Sequence, residues 1–196
     1  MLRRPLAALA LLAAVPAAAQ FQSEGYKFLQ AVRDSKNNDV IAALNKPGSQ
    51  IVNTRDITTG EAALHITVQR GDVAYTTFLL QKGADPNIRD GRSNTPLLIA
   101  VQSGHSDLLP LLIAGRANPN LPNGSGVTPL ILATQVRNAE AVRALLNAKA
   151  NPDQKDYNGR SAREYATADP RGASIARLFA DVPTQAARPG VAGPRL

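Results

Sequence analysis

The chain has no cysteine, no tryptophan, one methionine and two histidines, and aromatic residues fill only 4% of its 196 positions. Without cysteine there is no disulfide, no thiol nucleophile, no thiolate-held zinc or iron–sulfur cluster and no lipidated N-terminal cysteine. Two histidines, His65 and His105, cannot by themselves supply the three converging ligands of a catalytic zinc. No Gly-x-Ser-x-Gly elbow occurs. The stretch "PNGSG" (Pro122 to Gly126) has neither the Gly-Lys-Ser/Thr ending nor the preceding strand of a phosphate loop. The carboxylates Asp90, Asp156 and Glu140 fall at turn or outer-helix positions, where turn formation and solvation are the expected roles. No catalytic residue, cofactor or metal site is therefore assigned. Hydrophobic residues make up 44%, so a core is possible, but one built from Leu, Ala, Val and Ile. Such a core suits close helix packing better than a β-sandwich.

Long apolar runs are also missing. The longest, Leu6 to Val15, is half of the ~20 residues that a membrane-spanning helix requires. It stands between the basic "MLRR" and the small residues of "PAAAQ", the three-part pattern of a secretory signal. Residues 1–19 are expected to be cleaved between Ala19 and Gln20. Arg3–Arg4 hints at twin-arginine export, but the short basic region favours the Sec route. The expected location is the bacterial periplasm. Removing Arg3 and Arg4 leaves 20 Lys and Arg against 15 Asp and Glu, a net charge of +5. The basic residues are scattered singly, with no interleaved aromatics for base stacking, so nucleic acid is not expected as a partner.

What the chain does contain is a period. Stepping by 33 links Leu64, Leu97 and Leu130, links Ala100, Ala133 and Ala166, and links Thr95-Pro96 to Thr128-Pro129. The same grid carries Pro86-Asn87, Pro119-Asn120 and Pro152-Asp153, and the pairs Leu79-Leu80, Leu112-Ile113, Leu145-Leu146 and Leu178-Phe179. Agreement at one spacing over several units marks a repeat architecture. Within a unit, Thr95 is placed to cap a helix and Pro96 sits at its first position, where a missing N–H costs nothing. The helix stops at Gly104. Ser106-Asp107 are expected to open a second helix that ends near Gly115, with a slight irregularity at Pro110. "RANPNLPNGSG" then forms a long turn. One helix pair cannot bury its apolar face alone, whereas stacked pairs share a continuous core.

The copies "NTPLLIA" and "VTPLILA", with "KGADPN" (Lys82 to Asn87), resemble the Thr-Pro-Leu-His-x-Ala and Gly-Ala-Asp-x-Asn signatures of ankyrin repeats. The resemblance covers about residues 26–179. It implies an all-α solenoid of helix–turn–helix units joined by long β-hairpin-like turns. About five units are expected: an N-terminal cap at 24–54, repeats at 55–88, 89–121 and 122–154, and a C-terminal cap at 155–180. Residues 181–196, rich in Pro and Gly, read as a disordered tail. Several departures matter. "GEAALHIT" lacks Thr-Pro and has one extra residue in the turn before it, Leu98, Ile131 and Glu164 replace the signature histidine, and Arg163 stands where Leu belongs. Arg163 and Glu164 fit a water-facing end unit. The resemblance implies that His65 bonds to backbone and neighbouring turns, and that His105 stabilises an inter-helix turn.

It also implies a non-enzymatic protein-binding module that works as a monomer, with partners docking on turn tips and the exposed ends of first helices.

 The implied site residues are Gln69 and Arg70 in the second unit, and Arg89, Arg92, Asn94, Gln102 and Ser103 in the third. Val127, Gln135 and Val136 follow in the fourth unit, and Lys155, Tyr157 and Arg160 in the last. Arginine and tyrosine often dominate interface energetics, so a polar or acidic protein partner is expected. The alternative is a secreted effector or toxin-neutralising protein acting outside the producing cell.

Overall fold

The computed structural model describes residues 24–46 and 49–183. The expected signal at 1–19 lies outside the described residues, as does the expected tail from residue 184 onward. The repeats fold as helix pairs: α1 (Glu24–Arg33) with α2 (Asn37–Leu44), α3 (Ala63–Gln69) with α4 (Val73–Gln81), and α5 (Pro96–Ser103) with α6 (Leu108–Ala114). They continue as α7 (Pro129–Gln135) with α8 (Ala139–Asn147), and α9 (Ala162–Ala168) with α10 (Ala173–Arg177). The odd-numbered helices stack as one layer, each packed on the next. Their even-numbered partners form the second layer. Among the described residues there is no strand, only two isolated antiparallel bridges, Arg55–Ala62 and Lys155–Ser161, at the bases of long turns. No helix among them is long and apolar enough to cross a membrane.

Local chemistry sets each first helix. Thr95 Oγ1 accepts from Leu98 N, Thr128 Oγ1 from Ile131 N, and Ser161 Oγ from Glu164 N. Each satisfies an amide that the helix cannot pair internally. Ala62 has no hydroxyl to do this for α3. There the His65 ring stands in for part of the motif: Nδ1 accepts the Ala62 N–H at 3.0 Å, as Glu164 accepts that of Ser161 in α9. Leu64, Leu97 and Leu130 are at most 1% exposed, and Ala100, Ala133 and Ala166 at most 2%. Burying each leucine is worth roughly 1.5–3 kcal/mol, and the alanines let neighbouring helices approach.

The second helices differ from the expected pattern in two places, the start of α6 and the length of α10. Asp72 and Asn138 cap α4 and α8 through Tyr75 N and Ala141 N, and the equivalent residue before α6 is His105. Helix α6 starts at Leu108, not at Ser106-Asp107. Pro110 has no N–H for the Ser106 carbonyl, and the entry instead uses tighter bonds, Leu108 N to His105 O and Leu109 N to Ser106 O. Gly115 follows the last residue of α6, as expected, and a Cβ on it would lie 3.2 Å from Leu80 Cδ2; the left-handed residue is the next one, Arg116, at φ 72°. In the last unit α10 is so short that Phe179, 2% exposed, takes the core site that Leu79, Leu112 and Leu145 hold elsewhere, and Leu178 is only half-buried.

Arg163 is more than a solvated end residue. Its Nε donates to Asp153 Oδ1, Nη1 to Phe179 O and Nη2 to Val182 O. It therefore ties the last turn, the last helix pair and the chain's exit together.

Candidate functional site

The long turns share one construction. Asp90 Oδ1 accepts from Arg92 N and Asn94 N, Asn123 Oδ1 from Ser125 N and Val127 N, and Asp156 Oδ1 from Asn158 N and Arg160 N. A short side-chain acceptor thus folds its own turn. The turn of the second unit carries the extra residue, so its closing bond runs from Asp56 N to Glu61 O, and Asp56 Oδ1 accepts from Thr58 N and Thr59 N. These two amides and the Arg33 guanidinium hold the Asp56 carboxyl at about 2, below its ordinary value. Ile57 is left fully exposed at this tip.

Successive tips are stitched to one another. Gly91 N donates to Thr59 O at 2.8 Å, Gly124 N to Arg92 O at 3.0 Å, and Tyr157 N to Ser125 O at 3.3 Å. A side chain at position 91 would disrupt the first of these, because its Cβ would fall 2.8 Å from Thr59 O. A second line of bonds uses the asparagine of the repeated Pro-Asn pair. Asn87 Oδ1 accepts from Asn118 N, and Asn120 Oδ1 from Asn151 N. The successive turns are therefore held at fixed spacing relative to one another.

Between the tips of the second and third units and the helices α3 and α5 lies a cleft of about 710 Å³. Gln69, Arg92, Asn94, Gln102 and Ser103 line it, five of the residues selected from the sequence. Its tip wall adds Thr58, Thr59, Glu61, Asp90 and Gly91, and its helix wall adds His65 and Ile99. The turn residues among these were not selected from the sequence. Asp90 could have been, because an Asp or Asn recurs at that point of the long turns.

The lining residues divide by what they already bind. His65 Nε2 meets Asn94 O at 3.1 Å while Nδ1 accepts from Ala62 N, so the ring is neutral with its proton on Nε2. Burial pushes its pKa down. Asn94 is nearly buried and gives its amide to Asp90 Oδ2. Glu61 accepts from Thr59 Oγ1 and pairs with Arg33 at 3.6 Å. These groups build the cleft. By contrast, the side chains of Gln69, Arg92, Gln102 and Ser103 have no partner among the described residues, and they are exposed.

The other selected residues do not line this cleft. Arg70 is spent on bridging to the first unit and on its own turn, donating to Val32 O, Ser35 Oγ and Asp72 Oδ2 and lying over the Tyr75 ring. Arg89 donates to Pro122 O at 2.7 Å. Val127 is half-buried against the core, and Val136 is exposed. In the last unit Lys155 pairs with Glu164, and Arg160 lies over the Tyr165 ring. Tyr157 is 79% exposed, and its ring lies over Gly126. Gln135 lies beside Tyr165, whose Oη donates to Asp156 Oδ2 at 2.8 Å. Of the five selected cations, only Arg92 keeps a guanidinium with no partner among the described residues, and Glu61 and Asp90 share its cleft.

With this geometry in place, two comparisons bear on it. A family model described as ankyrin repeats (3 copies) matches residues 28–123 and again residues 99–185. The chain is also similar to the oxysterol-binding protein-related protein 1 of Homo sapiens, 35% identical over 72 residues. That match covers 37% of this chain and 8% of the human protein, so the chain spans under a tenth of that relative's length.

Proposed function

This chain belongs to the ankyrin-repeat family, and from that premise we propose that it is an exported, non-enzymatic binding module that docks a polar protein segment in the cleft between its second and third units. Ankyrin repeats generally mediate protein–protein interaction. The observation that carries the reading is the division of labour in the cleft. His65, Asn94, Asp90 and Glu61 are committed to fixing its walls, and Gln69, Gln102, Ser103 and Arg92 present unpaired polar groups into it. A preformed site of this kind loses little ordering entropy on binding. The titratable groups of the cleft already serve as turn acceptors, ion-pair partners or, for His65, a neutral bridge, which supports a binding role over catalysis. With Arg92 balanced by Glu61 and Asp90, the polar partner is favoured over a strongly acidic one. Export to the periplasm rests on the signal pattern of residues 1–19.

The test is site-specific photo-crosslinking in a Gram-negative host carrying the full chain. A benzoylphenylalanine at Ser103 should trap a discrete protein adduct, and one at Glu140, on the exposed face of α8, should not. The recovered adduct should begin at Gln20. Equal trapping from both positions would sink the docking reading, and an uncleaved cytoplasmic product would sink the export reading.

A further inference from the structure

The unit-length step that relates the cores also relates three surface amides. Gln69 ends α3, Gln102 lies one residue from the end of α5, and Gln135 ends α7, each 33 residues from the next. All three are exposed. Gln69 and Gln102 stand in the cleft with no side-chain partner among the described residues, and Gln135 shares a hydrogen bond with the Tyr165 hydroxyl, which leaves one of its two amide N–H groups for a ligand. In the neighbouring units Arg33 ends α1 and Ala168 ends α9, so the amide row spans three units.

Helices α3, α5 and α7 pack side by side, and packed helices lie roughly 8–10 Å apart. A row of identical amides at that step can make equivalent contacts only with a ligand of matching repeat. A β-strand advances about 10 Å over three residues, but its side chains alternate with period two, so residues three apart face opposite ways. A polyproline II helix advances about 3.1 Å per residue with three residues per turn, or about 9.3 Å per turn. Its residues i, i+3 and i+6 face one way. It also makes no internal hydrogen bonds, so its carbonyl oxygens are free acceptors for glutamine Nε2 donors.

Resting on the docking reading above, we propose that Gln69, Gln102 and Gln135 form a backbone-reading ladder for a proline-rich segment in the polyproline II conformation, one amide per turn. The segment spans seven residues from the first rung to the third. Arg92 and the turn wall lie alongside the first two rungs and act on its side chains. The ladder itself reads main-chain carbonyls and is indifferent to which apolar residues accompany the prolines.

The probe is fluorescein-labelled decaproline, compared by anisotropy with a labelled (Gly-Ser)5 of equal length, on the mature protein. Decaproline should bind at least tenfold more tightly than (Gly-Ser)5. The triple variant Gln69→Ala, Gln102→Ala, Gln135→Ala should lose at least tenfold in decaproline affinity, and thermal unfolding should be unchanged because the three side chains are exposed. Each single variant should lose a smaller and similar share. Equal binding of the two peptides, no binding of decaproline, or full retention by the triple variant would overturn the ladder. If Ser103 still traps a protein while decaproline fails, the ladder falls and the docking reading stands. If decaproline binds through the amides and Ser103 traps nothing, the ladder stands without that partner.

Discussion

The cleft between the second and third units and the equivalent surface between the fourth and fifth units are built on the same turn and helix positions, yet they are finished differently. In the first, Gln69, Gln102, Ser103 and Arg92 are left without partners among the described residues. In the second, apart from one amide N–H of Gln135, the polar groups are turned on each other: Tyr165 to Asp156, Arg160 over the same ring, and Lys155 to Glu164. A repeat architecture supplies the same scaffold to every unit, and the choice of a few side chains decides whether a surface is satisfied internally or left for a partner. Among the described residues no further unit packs on the fifth, and internal pairing there takes the place of the stitching between tips.

Breaking the closed end should give the largest effect. Arg163→Ala removes three charge-assisted bonds, to Asp153, Phe179 O and Val182 O. Such bonds contribute about 1.5–3 kcal/mol each when well shielded, but the side chain is 25% exposed and α10 can detach locally. The expected net loss is about 2–3 kcal/mol, measured by urea unfolding. Amide exchange should accelerate across residues 173–180 and stay slow in α5. Uniform acceleration along the whole array would show that the end unit is not separately held.

The sequence carried the scaffold well and the site only in part. Thr95-Pro96 and Thr128-Pro129 announce helix starts by chemistry that is local, and the 33-residue step places Leu64, Leu97 and Leu130 in one core without any structure. Gly115 ends α6 as the sequence suggests, and it also makes room for Leu80, a contact 35 positions away in the chain. Two readings differ from the structure. Helix α6 opens late because Pro110 removes a bond that begins at Ser106. Arg163 reads as a solvated substitution, although its partners, Asp153, Phe179 and Val182, meet only after folding. The binding face follows the same logic. Position in the repeat located Gln69, Gln102 and Ser103, which are free. It could not tell that Arg70 and Arg89 reach carbonyls of Val32 and Pro122, because those partners belong to other units.

Opening the satisfied surface gives an intermediate effect. Tyr165→Phe leaves the nearly buried Asp156 without the donor to its Oδ2. The two turn amides on Oδ1 remain. The hydrogen bond to Asp156 is also what chiefly raises the tyrosine pKa, ahead of burial. The cost should be about 1.5 kcal/mol by urea unfolding, the range for a bond to a charged acceptor. An unchanged midpoint would mean that water replaces the hydroxyl without loss and that the fourth–fifth surface is less closed than its contacts indicate.

The smallest effect sharpens the comparison from the other side, because its source lies in the cleft wall. His65 must be neutral to accept from Ala62 and reach Asn94 O, and burial lowers its pKa in the folded chain. The unfolded chain, with a histidine pKa of about 6.5, binds the proton more readily. The stabilising contribution is therefore complete above that value and is lost as pH falls below it. Between pH 7.5 and pH 6 the loss should be under about 1 kcal/mol, since only one proton is involved and pH 6 lies only about half a unit below the unfolded value of about 6.5. Asp56, held at about 2, contributes in a separate window, lost only as pH falls from about 4 toward 2. Urea midpoints at pH 7.5 and 6, for the wild type and for His65→Gln, isolate the term. The wild type should weaken toward pH 6, and the variant should weaken less. Equal slopes would mean that the imidazole bridge between Ala62 and Asn94 tolerates its second proton, and that the cleft wall is softer than the pairing of its groups implies.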